Sequence, residues 1–580
     1  MRARLVFLIL LLLSAPLLAA SPAEQARALF EADWQWRLRT QPEFATSVGD
    51  HRYDDKLSDT SLAASLAAAA HDQAMLAQAR AIERRALPLQ EQISLDLFIY
   101  EKSLAQRAAA FYPYNWQPIT TQDGLHLDFV QMAAQMPFAS ERDYRNYFAR
   151  IQALPRYVDG LIAQLREGLR SGWTTPQAVI KGVPAQLRQL RKGITQGPLA
   201  TPFRRVPAGI AQPARDRIAS FGPQLLQTVA APALRRLEQF IEQVYLPATR
   251  SSLAASALPG GADYYALLAE QATTTALTPA EIHAIGLREV ARLQGELRGA
   301  IARTGFSGSY SEFVRYVTSD PRFFFTDPEA LLAAYRSIIA RASQRLPQLF
   351  WRLPQEAVEV RPIQYPGAEE QSAAFYEAGI GGDPGAFVVN TTRLHTRAKW
   401  EMETLALHEA VPGHHTQVAR AHELSELPPF RRHGWYVAFG EGWALYAEGL
   451  GYELGLFSDP YADFGHLNDE LLRAVRLVVD TGIHAFGWSR QQALDYMNAN
   501  SANPPGDNEV EVDRYIGWPG QALGYKIGQM KILELRQRAQ SVLGARFDLR
   551  RFHNAVIDNG PLPLGVLEQQ IERWITQQNQ

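Results

Sequence analysis

The segment EMETLALHEAVPGHHTQVAR, from Glu401 to Arg420, sets His408 and Glu409 side by side and follows them with His414 and His415. Neutral imidazoles bind zinc, and an adjacent carboxylate can take a proton from water, so these residue types point to a catalytic metal site. In the usual helical arrangement two His stand four apart on one face. Here the position four after His408 is Pro412, which cannot ligate. On an unbroken helix of about 100° per residue, His414 would lie about 120° around the axis from His408, and His415 about 20° away but two turns along. Neither fits a regular helix. Pro412 lacks the N–H that would bond the His408 carbonyl, and Gly413 tolerates unusual dihedrals, so the helix is expected to bulge there. A two-residue insertion of that kind favours His414 as the second ligand, with His415 as the competing choice.

Two His leave room for a third protein ligand and an open position for water. The run FGEGWALYAEGL, Phe439 to Leu450, carries Glu441 and Glu448 seven residues apart on one helical face. Glu441 is the expected third ligand, with Glu448 behind a ligand or in its place. Glu409 is the expected general base. An oxyanion donor is sought in Tyr515 or Tyr525, with Tyr515 preferred and Arg514 as a carboxylate clamp. Asp480 and His484, four apart, share a helix face, which suits either a hydrogen-bonded pair lining the groove or a structural pair.

Helical periodicity covers most of the chain, for instance Pro22 to Arg37, Ser61 to Arg85, Ala214 to Glu242 and Pro279 to Arg303. Thr278, Pro279 and Glu281 form a capping box with Pro in the first turn. Strand patterns are few: Val358 to Tyr365, and Ala386 to Thr391 after the turn-rich GIGGDPG stretch. The reading is a mainly α fold of two lobes, residues 21–260 and 261–580 divided near Leu258 to Gly261, with a small sheet beside the HE helix and a deep groove. Phe387 to Asn390 is expected to be an edge strand able to pair with an extended peptide. Asn390 with Thr391 and Thr392 also matches a short glycosylation acceptor pattern.

Lys plus Arg total 58 against 60 for Asp plus Glu, so no strong field draws nucleic acid or an anionic membrane. The opening MRARLVFLILLLLSAPLLAASPAEQ places Arg2 and Arg4 before an apolar run too short to span a bilayer, then Ala19, Ala20 and Ser21. It reads as a leader over residues 1–20, removed on export to the periplasm or medium, with no stable membrane insertion afterwards. The sequence has no cysteine, which removes disulfides, thiolate nucleophiles, Cys-attached lipid and Cys-based metal sites. Any metal must be held by His and carboxylates.

Taken together, ATSVGDHRYDDKLSD (Ala45 to Asp59), YYALLAEQATTTALTPAEIHAIGLREV (Tyr264 to Val290), HEAVPGHHTQ, EGWALYAE, RLVVDTGIHAFGWS (Arg476 to Ser489) and RYIGWPGQALGYKIGQMKILELR (Arg514 to Arg536) resemble the bacterial family known as domain of unknown function 885. That family looks like a divergent branch of the zincin metallopeptidases. The resemblance covers nearly the whole chain after the leader and implies a mostly helical fold similar to oligopeptidases and carboxypeptidases, with a hydrolytic zinc site. The expected function is thus zinc-dependent hydrolysis, most simply of short peptides or small amides. The alternatives are a metal-dependent hydrolase of esters or non-peptide amides, and a binding protein that has lost turnover at Pro412.

Overall fold

The computed structural model describes residues 20–363 and 372–579, so the leader, Ala20 apart, and Tyr365 lie outside the described residues. Helices dominate, and their starts follow the capping chemistry. Thr278 Oγ1 accepts from the Glu281 amide and Glu281 accepts from the Thr278 amide at 2.8 Å, opening the helix Pro279–Arg303. Ser21 with Glu24 and Ser489 with Gln492 repeat the device at Pro22–Thr40 and Arg490–Asn500. The stretch expected to be one helix from Ala214 to Glu242 is broken by wider π turns at Leu226–Ala230 and Ile241–Tyr245. The first of these lies beside Pro223 and Pro232, which lack the donors a regular helix needs.

Two small sheets occur among the described residues. Strands β1 (Ile119–Thr120) and β2 (Asp123–Gly124) form a tight antiparallel pair. The second sheet has β3 (Val358–Pro362), β4 (Ala374–Glu377) and β5 (Gly385–Val389) in the order β3-β5-β4. Its β3 runs parallel to β5, pairing Val360 with Phe387, and β4 runs antiparallel, pairing Tyr376 with Phe387. This corrects one expectation: the strand holding Phe387 is central and buried throughout, while β4 forms an edge. Asn390, just past β5, is fully buried. Its side-chain amide donates to the Ser372 carbonyl and its oxygen accepts from Thr392, so it ties the strand end together rather than offering a glycosylation site.

Residues 119–245 build one apolar core of their own, around Tyr147, Leu154, Leu187 and Leu237. Residues before and after that stretch share another, in which Phe30 and Phe98 join Leu407, Phe439, Trp443 and Ile532. The helix Pro460–His484 is buried almost along its whole length and packs with Val290 and Leu297 in a third core. One close approach matters for the site. A Cβ on Gly442 would sit 2.5 Å from the Gly528 Cα, and one on Gly528 would sit 2.8 Å from the Gly442 Cα. The helices Val437–Gly449 and Gly524–Leu543 therefore cross backbone to backbone, which presents Glu441 and Tyr525 to one cavity.

Candidate metal centre and its cavity

The HE helix, Met402–Glu409, does not bulge at Pro412; it ends at Glu409, and a second helix, His414–Glu423, begins beyond Gly413. The Val411–Pro412 peptide is cis. A Cβ on Gly413 would lie 1.9 Å from the His408 carbonyl oxygen, so the turn closes directly over the end of the HE helix and only glycine fits. The indole of Trp443, on the Val437–Gly449 helix, donates to the Pro412 carbonyl at 2.9 Å. That bond ties the break to the helix carrying Glu441.

The break gathers His408, His414 and Glu441, one donor atom of each lying within 4.8 Å of the others. Glu441 Oε2 lies 3.5 Å from His408 Nε2 and 3.3 Å from His414 Nε2. Donors on bonds of roughly 2.0–2.1 Å to one tetrahedral centre stand about 3.3 Å apart, so the spacing suits a zinc-sized cation. Electrostatics suit one as well. Burial pulls the His408 imidazole down, but hydrogen bonds with Glu441 and Glu448 outweigh it and push its pKa to about 10, so carboxylates favour positive charge here. Burial likewise raises the Glu441 carboxyl, but the two His hold it well below the usual carboxylate range.

Behind the cluster, His408 Nδ1 meets Glu448 Oε1 at 2.7 Å, which leaves Nε2 facing Glu441. Burial raises the Glu448 carboxyl. His415 turns elsewhere: its Nε2 donates to the Glu356 carbonyl at 3.0 Å and its Nδ1 lies 3.2 Å from the Tyr376 hydroxyl. It is not part of the cluster. Glu409, the last residue of the HE helix, lines the same cavity as His408 without being one of the three clustered donors.

That cavity measures about 540 Å³ and is walled by β4 with Ser372 and Ala373, by the His/Glu cluster and Glu409, and by Arg473, Arg476, Glu511, Arg514 and Tyr525. A further hollow of about 410 Å³ adjoins it at Ala378, Val418 and Trp435, extending the groove toward Gly379 and Gly382. Tyr515 is not on its wall. Its hydroxyl donates to Glu511 at 2.6 Å and accepts from Arg476 at 3.0 Å, deep in the core. Tyr525 stands there instead, its ring 6.4 Å from that of His408 and roughly parallel to it, its hydroxyl accepting from Arg514 at 3.0 Å.

Asp480 and His484 neither pair with each other nor reach the groove. Asp480 accepts from the Tyr265 hydroxyl at 2.5 Å and from the Gly520 amide, while His484 accepts from the Ala255 amide and donates to the Tyr515 carbonyl. Sequence reasoning missed Arg473, Arg476 and Glu511. A signal existed for the two arginines: Glu470, Arg473, Arg476 and Asp480 fall three and four apart along one helix face, and polar residues recur there amid apolar neighbours.

The chain belongs to a family of bacterial proteins of unknown function, DUF885, which matches residues 42–571. A structure named a "putative lipoprotein" from Colwellia psychrerythraea is 27% identical, with a TM-score of 0.92 over 96% of this chain and 100% of that one. A "putative lipoprotein of unknown function" from Shewanella oneidensis is 18% identical, with a TM-score of 0.71 and coverage of 96% and 100%. Both share the fold. No curated protein matches. No described helix is long and apolar enough to cross a membrane.

Proposed function

We propose that this DUF885 protein is an exported, zincin-like, zinc-dependent hydrolase acting on short peptides, with His408, His414 and Glu441 as ligands and Glu409 as general base. The observation that carries this reading is the break at Pro412 and Gly413, which brings one donor atom each of two imidazoles and a carboxylate within 4.8 Å of one another while leaving Glu409 on the same cavity wall. A zinc ion held there supplies a Lewis acid and lowers the pKa of water toward neutrality. Glu409 takes the proton of the attacking water and returns it to the leaving amine. Glu448 holds the His408 ring in orientation and fixes Nε2 as its free nitrogen. Tyr525 rather than Tyr515 offers the hydroxyl for the developing oxyanion. The exposed side of β4 lets an extended peptide add as a further strand, which favours peptides over other amides and esters.

Export rests on the leader-like residues 1–20 and on the lipoprotein name of the Colwellia relative. Lipid attachment does not carry over, because this sequence has no cysteine to acylate. The test is metal content together with cleavage of a defined peptide set by the parent, Glu409→Gln and His408→Ala. Glu409→Gln is expected to keep zinc and lose hydrolysis on the order of 10²-fold or more, whereas His408→Ala loses zinc and activity together. Cleavage by zinc-loaded Glu409→Gln at the parent rate would rule the mechanism out.

A further inference from the structure

The groove has a second chemical character that water activation does not use. Arg473 and Arg476, from the helix Pro460–His484, and Arg514, from the helix Pro505–Gly517, all line it. The first two side chains are only 8% and 6% exposed. Part of each guanidinium is satisfied within the protein. Arg473 binds Asp469, Arg476 binds Glu511 at 2.9 Å and the Tyr515 hydroxyl, and Arg514 binds Gln521 and Tyr525 at 3.0 Å each. Yet each keeps one buried nitrogen with no hydrogen-bond partner among the described residues: Nε of Arg473, Nη1 of Arg476 and Nε of Arg514.

A buried N–H of a charged group left without an acceptor is costly, and native interiors hold few of them. Three on neighbouring arginines of one cavity call for an acceptor that arrives from outside. Glu511 already accepts from Arg476, Arg514 and the Tyr515 hydroxyl, and the three nitrogens stay unpartnered with it in place. Arg150 and Arg431, which brace the fold, also keep one such nitrogen, but neither lines this cavity; what sets Arg473, Arg476 and Arg514 apart is that three guanidinium groups share one cavity wall. The planar fork of a guanidinium is matched by a carboxylate, so that is the chemistry the wall suits.

Distance indicates where on a ligand the carboxylate sits. The Tyr525 ring is near both chemistries, 6.4 Å from the His408 ring and 4.5 Å from the Arg476 guanidinium carbon. Arg476 is therefore no more than about 11 Å from His408, a reach of about three extended residues. We propose that Arg473, Arg476 and Arg514 form a subsite for the free C-terminal carboxylate of a short peptide, so that the cut falls within about three residues of that end. The inference rests on the hydrolytic reading for the cut but not for the binding, and it makes the protein an exopeptidase acting from the C-terminus.

The test uses three probes: benzoyl-Gly-Phe, its C-terminal amide, and benzoyl-Gly-Glu amide, whose one carboxylate is on a side chain. Each is titrated calorimetrically into zinc-loaded Glu409→Gln, which prevents turnover, and again after chelation. The acid should bind on the order of 10-fold or more tighter than either amide, as a charge-assisted bidentate contact requires. That preference should survive chelation, shrink several-fold in Arg514→Gln and return in part in Arg514→Lys. Equal binding of the acid and its amide, or no binding of any probe, overturns the subsite. Glu-amide binding as tight as the acid overturns the terminal assignment, and a preference seen only with zinc present places the carboxylate on the metal instead. Failure of the metal reading looks different: no zinc is taken up or no peptide is cut by the parent, while the preference for the acid remains and supports the subsite.

Discussion

The segment from Met402 to Glu423 and the helix Pro460–His484 both feed the cavity, and they do so by opposite means. The first is two short helices joined by a sharp turn, with His408 and His414 on either side of the break. The second runs unbroken for 25 residues and delivers Arg473 and Arg476 from regular turns. In the unbroken helix, spacing along the chain translates directly into placement in space. At the break it does not, because Gly413 folds the chain back over the His408 carbonyl and adjacent residues diverge: His414 meets Glu441 while His415 leaves for Tyr376 and Glu356. A grouping of side chains that a regular helix cannot supply is obtained from an irregular turn held by its surroundings, here by the Trp443 indole.

The hardest way to break this contrast is Gly413→Ala. The added methyl has no room against the His408 carbonyl, so the account expects a stability loss of about 3 kcal/mol and zinc affinity lowered with it. Unfolding by urea and zinc titration would measure both, and an alanine variant with parent stability and affinity would show that the turn is not a constraint. The matching change in the regular helix, Leu477→Met, keeps volume and should cost less than about 1.5 kcal/mol.

A milder probe is Glu448→Gln, which keeps the shape behind His408 but removes the charge. Zinc affinity should fall about 10-fold, read by competition with a chelator of known affinity. Unchanged affinity would mean that Glu448 does not support the ligand.

The smallest effect at the site is expected from Asp480, remote from the cluster on the unbroken helix. Burial pushes its carboxyl up to about 7, and the bonds from Tyr265 and Gly520 only partly offset this. The folded state then holds a proton that the unfolded chain, with a pKa of about 3.9, has given up. This group's contribution to stability therefore falls as pH rises from about 4 to about 7. Asp480→Asn should flatten that decline in urea midpoints while leaving hydrolysis near the parent level. An identical slope in both proteins would contradict the assignment.

How far the sequence could be read follows the same division. Capped, periodic helices such as Pro279–Arg303 were legible because their signals are local. The interruption at Pro412 and Gly413 was legible too, but not as a full break, since its direction depends on Trp443 some thirty residues on. The preference for Tyr515 over Tyr525 is not matched by the cavity, whose wall carries Tyr525, because the helix crossing at Gly442 and Gly528 that places Tyr525 is not a local signal. Strand order is equally non-local, which is why Phe387 was expected at an edge that Ala374–Glu377 occupies. Asp480 and His484 share a face as their spacing requires. On a helix buried all round, each finds its own partner in a different neighbour, and the spacing alone cannot show that.

The most direct test of the central claim is zinc stoichiometry by mass spectrometry on the purified parent, His414→Ala and His415→Ala proteins. The account predicts one zinc per chain in the parent and in His415→Ala, and none retained by His414→Ala through gel filtration. Zinc kept by His414→Ala and lost by His415→Ala, or a parent that takes up no zinc at all, would contradict it.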